Sequence, residues 1–236
     1  MSKIRLFWEK SLEEKSQVKV SDKDFHYLSN VMRCDIGSTI LLFNKANGEF
    51  LSKVIKKTKN EFILSVINRI KHEQIKNVFN MAFCPPKSKK LDFLIQKCTE
   101  IGVNNFYPII SDHTENRNLN LGRIKKIIKE AVEQSNQTHI PEIYNPIIFS
   151  NFVKKSDGYS QIFFGDIQSD KKLANLKIDM VKENFIFIGP EGDFSLKEIE
   201  IIRSNQNFFS FSLGKRIFRS ETAAIASLVL FNNFFN

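Results

Sequence analysis

The sequence predicts an α/β protein in two parts: a small β-barrel at the amino end, then a larger domain on a mainly parallel sheet. Three observations carry that prediction. From residue 1 to about 70, short β-prone runs follow one another with a single helical interruption. From Val78 onward, apolar runs of strand length alternate with stretches whose apolar residues recur at helical spacing, the pattern of parallel strands covered on both faces. Near the carboxyl end, Ile188–Ser195 and Leu213–Thr222 each follow an apolar run, carry glycine, and lead into a helix. Such strand-to-helix junctions are where α/β proteins build ligand sites.

In the first part, Arg5–Trp8, Gln17–Val20, Thr39–Phe43, Glu49–Ile55 and Glu61–Ile67 read as strands, punctuated by Gly37 and by the turn dipeptide Asn47-Gly48. Ser21 and Asp24 form a capping-box-like start, with Asp in place of the usual Glu or Gln. Phe25, Leu28, Val31 and Met32 then fall on one helical face. This part is residues 1–70, and the polar stretch at about 71–77 reads as a linker to a second domain spanning 71–236.

In the second part, Val78–Cys84, Asn105–Ile110, Ile162–Phe164, Phe185–Ile188 and Phe208–Leu213 read as strands. A helix over Lys87–Ile101 places Leu91, Leu94, Ile95 and Cys98 on one face and stops at Gly102. A second helix, Leu121–Gln137, carries Ile124, Ile127, Ile128 and Ala131. A third, Ser195–Ile202, opens with the capping box Ser195-x-x-Glu198, and the last runs over Ser220–Phe231.

Composition bounds the function classes. With 42% hydrophobic and 26% charged residues over 236 positions, a disordered or fibrous chain is excluded. No apolar run approaches the ~20 residues that span a bilayer, and Met1–Arg5 lacks the apolar stretch of a secretory signal. Cys34, Cys84 and Cys98 form no Cys-x-x-Cys pair, so neither a disulfide framework nor a metal site is expected, and a cytoplasmic setting fits. The net charge is +9, and residues 1–70 hold 13 Lys and Arg against 8 Asp and Glu, or +5 of that excess. A basic surface attracts polyanions, nucleic acid above all, although a solubility device has the same composition.

Gly189-Pro190-Glu191-Gly192 is not a P-loop, because no Gly-Lys-Ser/Thr follows, nor the G-x-G-x-x-G dinucleotide fingerprint. As a plain turn, Pro190 fixes φ and Gly192 supplies backbone freedom, so a purely structural connection is one reading. Beside it, Glu221 complements the dipole of the helix it starts. Arg216 and Arg219 do not, and are better read as awaiting an anion.

These residues resemble the RsmE-type SPOUT methyltransferases, which methylate N3 of a uridine in 16S ribosomal RNA. The family patterns are G-P-E-G-G followed by S-x-x-E, and L-G-x-R-I/V-L-R-x-E-T-A. The chain has Gly189-Pro190-Glu191-Gly192-Asp193-Phe194-Ser195-Leu196-Lys197-Glu198 and Leu213-Gly214-Lys215-Arg216-Ile217-Phe218-Arg219-Ser220-Glu221-Thr222-Ala223. Lys89–Val103 is similar to the family's K-x-E-x-x-x-Q-K-x-T-E-L-G-V helix, and Glu130–Ser135 with Ile140–Ile143 to its E-A-x-E-Q-S and V-P-E-I stretches. Arg5, His26 and Val31-Met32-Arg33 match R-x-F/Y, H-x-x-x-V and V-L-R.

The resemblance implies a PUA-like RNA-binding barrel, a SPOUT domain with a trefoil knot, and a homodimer acting on 16S rRNA or the small ribosomal subunit. It places S-adenosylmethionine against Phe164, Gly189, Pro190, Glu191, Gly192, Leu213, Gly214, Ile217, Phe218, Arg219 and Thr222. Arg219, Glu221 and Glu191 are then the catalytic candidates: Arg219 would clamp the developing uridinate or orient the cofactor carboxylate, and Glu191 or Glu221 would accept the N3 proton. The alternative for Glu221 is to cap its helix and pair with Arg219. Arg5, His26, Arg33, Lys53, Lys89 and Lys90 are the RNA-contact candidates, with Gln96 beside them. A ribosome-associated RNA-binding protein with a non-catalytic knot pocket is the competing function. Three departures stand out. Asp193 replaces the second glycine of G-G, Lys215 stands where proline is common, and the T-E-R-S region becomes Ser111–Arg117 with its arginine displaced. If position 193 needs positive φ, Asp is among the better-tolerated residues there.

Overall fold

The computed structural model describes residues 4–71, 78–156, 158–172 and 175–235. The chain divides into two compact units: Met1–Ile75 with Val132–Ile140, and Lys76–Ala131 with Pro141–Asn236.

The first unit is a five-stranded sheet of β1 (Ile4–Phe7), β2 (Gln17–Ser21), β3 (Thr39–Asn44), β4 (Gly48–Lys57) and β5 (Glu61–Lys71), in the order β1-β3-β4-β5-β2. Only β1 and β3 run parallel; the other pairs are antiparallel. All five strands feed one core, through Leu6, Val18, Val20, Ile40, Leu42, Phe50, Val54, Phe62, Leu64 and Val66. Three register shifts between β4 and β5 bend the sheet around that core. The strand β5 extends to Lys71, and the rest of the expected linker, 72–77, lies outside the described residues.

The helix of this unit differs from its sequence prediction. Helix α1 covers only Asp22–His26 and passes into a π turn at Tyr27–Val31. The capping box does not form: the Ser21 hydroxyl donates to the Asp22 carboxylate (2.7 Å), and Asp22 itself turns left-handed at φ 55°. The wider turn changes which residues face inward. Leu28 is fully buried, whereas Val31 is 61% exposed.

The second unit carries β6 (Phe79–Phe83), α2 (Ser88–Ile101), β7 (Phe106–Ile110), α3 (Leu121–Gln134, whose last turn belongs to the first unit), β8 (Ile147–Ile148), α4 (Phe149–Lys155), β9 (Ser160–Gly165), β10 (Glu183–Ile188), α5 (Leu196–Ser204), β11 (Phe208–Phe211) and α6 (Ser220–Phe235). Its six strands run in the order β11-β9-β10-β6-β7-β8, every pair parallel. The strands are apolar on both faces because both are covered. Phe79, Phe163 and Phe211 meet Phe231 of α6, with ring centroids 5.0–5.1 Å apart. On the opposite face Phe185 and Phe187 meet Phe152 of α4, and Ile202 of α5 joins the same cluster.

The pair β8–α4 has no counterpart in the sequence prediction. A two-residue strand is too short to display a period, and a seven-residue helix barely more. Helix α3 ends three residues before its expected limit, ahead of a left-handed Asn136 (φ 58°).

One feature of the order positions the site. Strands β10 and β11 both pair with β9, and Phe164 sits opposite Phe187 on one side and Ser210 on the other. The segments that follow β10 and β11 therefore leave the same edge of the sheet, separated by a single strand. Two strand spacings put their origins about 10 Å apart.

Candidate active site

The loop after β10 is held from every side. Gly189 lies under the Phe194 ring so closely that a Cβ there would meet it at 2.7 Å. Phe194 in turn packs on Phe187 and Phe149. The Glu191 carboxylate is paired with Lys90 in the first turn of α2. Gly192 does not supply the unusual backbone expected of it. Asp193 adopts the left-handed conformation instead (φ 61°), and its carboxylate accepts from the Phe194 amide at 2.8 Å. Asp tolerates this region because its short side chain bonds locally.

Downstream, the predicted capping box of α5 is complete. Ser195 Oγ accepts from Glu198 N, and the Glu198 carboxylate accepts from Ser195 N at 3.0 Å. The second Glu198 oxygen reaches away to accept from Asp112 N at 3.0 Å, while Ser195 Oγ donates to the Asp112 carboxylate at 2.6 Å. His113 completes the contact: its Nδ1 lies 2.9 Å from Asp193 O and 3.2 Å from Gly192 O. Both acceptors are carbonyls, so Nδ1 carries the proton.

The turn that provides Asp112 and His113 is itself tied down. Ser111 N donates to Thr114 Oγ1 (2.8 Å), and Arg117 donates to the carbonyls of Ser111, Asp112 and Thr114 at 2.9–3.2 Å. The displaced arginine thus folds back on its own turn. Sequence reasoning gave this segment no role. The available signal was its place, a polar turn directly after the carboxyl end of a parallel strand.

The loop after β11 is a different object. Gly214 sits at φ 105°, with open space where a side chain would project. Ser212 N donates to Lys171 O (2.9 Å), and from Gly214 to Arg219 every residue is exposed, Ile217 by 89%. Among the described residues, the side chains of Lys215, Arg216 and Arg219 make no hydrogen bond or ion pair. Glu221 takes a hydrogen bond from Ser220 Oγ (3.3 Å), so the pairing with Arg219 weighed as its alternative role is not made. Thr222 is exposed in the first turn of α6, and Phe164 lies buried on the strand between the two loops.

Leu213, Ile217 and Phe218 thus offer partly or fully exposed apolar surface beside free cations and accessible backbone. That donor set suits a ligand with a flat apolar ring and a carboxylate. Cys84 and Cys98 add no chemistry. Burial pushes the Cys84 thiol up to about 11 against opposing hydrogen bonds from Ser111 and Thr114, and raises Cys98 also, so both stay protonated. Among the described residues no group of three or more His, Cys, Asp or Glu could hold a metal ion, and no helix is long and apolar enough to cross a membrane.

One RNA-contact candidate is corrected. Arg5 is 5% exposed, and its guanidinium is spent inside the first unit: Nε on Glu49 (2.6 Å), Nη1 on the carbonyls of Val132 and Glu133, Nη2 on Gln137 O. With four of its five N–H donors engaged and its side chain buried, an arginine that closes a helix end and neutralises a buried carboxylate is not placed to meet phosphate. His26, Arg33 and Lys53 are exposed on the same unit, and Lys89 and Gln96 on α2, whereas Lys90 is engaged by Glu191.

Comparison with known proteins adds the following. The family described as RNA methyltransferase domain matches residues 73–232, and the RNA methyltransferase PUA domain matches 20–67. The chain is 30% identical to ribosomal RNA small subunit methyltransferase E of Rickettsia conorii, over 95% of this chain and 93% of that protein. It is 28% identical to the protein of the same name from Buchnera aphidicola subsp. Schizaphis graminum, with the same two coverages. Among solved structures, ribosomal RNA small subunit methyltransferase E from Neisseria gonorrhoeae bound to S-adenosyl methionine superposes with a TM-score of 0.89 at 23% identity. That match covers 99% of this chain and 98% of the other. A putative methyltransferase from Legionella pneumophila, in complex with the same cofactor, gives 0.87 at 23% identity over the same shares.

Proposed function

The chain belongs to the RNA methyltransferase family of ribosomal RNA small subunit methyltransferase E, and from that premise we propose that it moves a methyl group from S-adenosylmethionine to N3 of a uridine in 16S rRNA. The observation that carries the reading is the shared sheet edge, where the braced loop after β10 and the open loop after β11 stand one strand apart. S-adenosylmethionine, when bound, supplies an electrophilic methyl group on a sulfonium.

The residues of the chain do the rest. Gly189–Gly192 and Leu213–Phe218 would hold the cofactor, together with Phe164 and Thr222. In-line methyl transfer asks mainly for positioning. Uridine N3 must also lose its proton, which leaves negative charge on O2 and O4. Arg219 stabilises that charge or fixes the cofactor carboxylate, since its guanidinium has no protein partner among the described residues. Glu221 is the better proton acceptor of the two carboxylates, because Glu191 already has a cation partner in Lys90.

Residues 1–70 act as the PUA-like RNA-binding domain, with His26, Arg33 and Lys53 on phosphates, and 71–236 as the SPOUT domain with its trefoil knot, assisted by Lys89. Phosphate contacts of this kind make affinity fall steeply with salt. The working form is a cytoplasmic homodimer acting on 16S rRNA or the small subunit. Mass spectrometry of 16S rRNA from cells with and without the gene tests the proposal. A 3-methyluridine present only with the gene is expected. An unchanged set of methylated nucleosides contradicts it.

A further inference from the structure

We propose that His113 is a positioning residue for the loop after β10: its Nδ1–H holds the Gly192 and Asp193 carbonyls and so fixes Gly189–Phe194 before a ligand arrives. The inference rests on the reading of that loop as part of the cofactor site.

Three links tie the Ser111–Arg117 turn to the segment 192–198. Two of them, Glu198 with Asp112 N and Asp112 with Ser195 Oγ, grip the start of α5. The third, His113, is the only side chain from outside the loop that reaches the loop's own peptide groups, among the described residues. It grips the residue that most needs it. Asp193 is an L-residue in the left-handed region, a conformation that persists when surrounding bonds hold it. Lys90 on Glu191 restrains the other side of the turn, but through two flexible, partly exposed side chains. The His113 ring is planar and short, and its two acceptors are main-chain atoms, so it sets backbone direction as a long ion pair does not.

The anchor behind it is rigid. Arg117 bonds three carbonyls of the same turn, and Asn116 donates to Pro86 O at 3.2 Å. A ring on a braced turn pre-organises its partner loop, and pre-organisation appears as ligand affinity, because only the competent fraction binds.

The experiment begins without ligand. Nitrogen NMR of the His113 ring should report the Nδ1–H form. Amide exchange at Gly192–Phe194 should be about fivefold to tenfold faster in His113→Ala than in the parent, the scale of one net hydrogen bond. His113→Asn, whose amide nitrogen falls where Nδ1 lies, should restore it; His113→Gln, whose amide falls near Nε2, should not. By calorimetry, S-adenosylmethionine should bind His113→Ala about fivefold to tenfold more weakly, with kcat within about twofold once cofactor saturates.

Loop exchange in His113→Ala equal to the parent overturns the proposal, as does an Nε2–H ring. A collapse of kcat at unchanged KM also overturns it, in favour of direct participation in the chemistry. If the parent protein itself fails to bind S-adenosylmethionine, the functional reading falls, while the ligand-free exchange still decides what His113 does. If His113→Ala does not fold, the Asn and Gln pair carries the same contrast.

Discussion

The two loops at the edge of the sheet are built on opposite principles. After β10, the polar groups are mostly answered: Glu191 by Lys90, the Gly192 and Asp193 carbonyls by His113, the start of α5 by Glu198 and Asp112. After β11, three cations and a nearly bare isoleucine face solvent. The first loop has the bonding of a scaffold. The second holds the unmet capacity for contact, and in a ligand site that capacity is what the ligand answers. A similar contrast separates two arginines that both match family motifs. Arg5 has its guanidinium consumed by protein groups, while Arg219 has none of its donors engaged among the described residues.

That contrast can be broken by substitution. The largest effect is expected from Arg5→Met, which leaves Glu49 buried without its partner and should cost about 3–5 kcal/mol of unfolding free energy in urea. The fraction that stays folded should keep its cofactor affinity; a stable variant with weakened RNA binding would put Arg5 on the RNA after all. Next comes Arg219→Ala. Methyl transfer should fall ~100-fold or more, with the thermal midpoint unmoved because the side chain makes no hydrogen bond or ion pair among the described residues. A lowered midpoint would erase the distinction between the two arginines.

Gly189→Ala sharpens the comparison of the loops. Its new Cβ would meet the Phe194 ring at 2.7 Å, so the ring must shift, at about 1–3 kcal/mol in stability. Gly214→Ala provides no steric collision to match, only the strain of φ 105°. Equal losses from steric and strain sources would be separated by Gly214→Asn, which tolerates positive φ.

The smallest and most local probe is pH. Cys84 follows β6, its amide bonded to Ile188 O at 2.9 Å and its thiol to Ser111 Oγ at 3.4 Å. Burial raises its thiol to about 11 from an ordinary value near 9. The folded state prefers the neutral thiol, so this contribution is complete below pH 9 and is lost as pH rises toward 11. Denaturation midpoints should decline across that window, less steeply in Cys84→Ala. A flat profile in the parent would mean that the thiol is not sealed from solvent.

Much of this arrangement was legible in the residues. The parallel strands announced themselves as apolar runs, α2 by Leu91, Leu94, Ile95 and Cys98, and α5 by Ser195 and Glu198, because each depends on local period or local capping. What was not legible depended on distant partners. Arg5 matched an RNA motif, yet its fate is set by Glu49 and by carbonyls more than 120 residues away. The Ser21 capping box failed because Ser21 bonds to its neighbour Asp22 and the next turn widens. Gly192 and Asp193 exchanged roles, since glycine's freedom says where the left-handed turn can be and not where it is. His113 gave no signal of its own, because its partners are main-chain atoms of a loop 79 and 80 residues further on.

Hydrogen exchange at the two loops with and without S-adenosylmethionine examines the central idea most directly. Both Gly189–Phe194 and Leu213–Phe218 should gain protection on adding the cofactor, and the gain should be larger at Leu213–Phe218, which starts with fewer bonds. Protection confined to one loop, or appearing only elsewhere in the chain, would contradict a single site built from a fixed half and an open half.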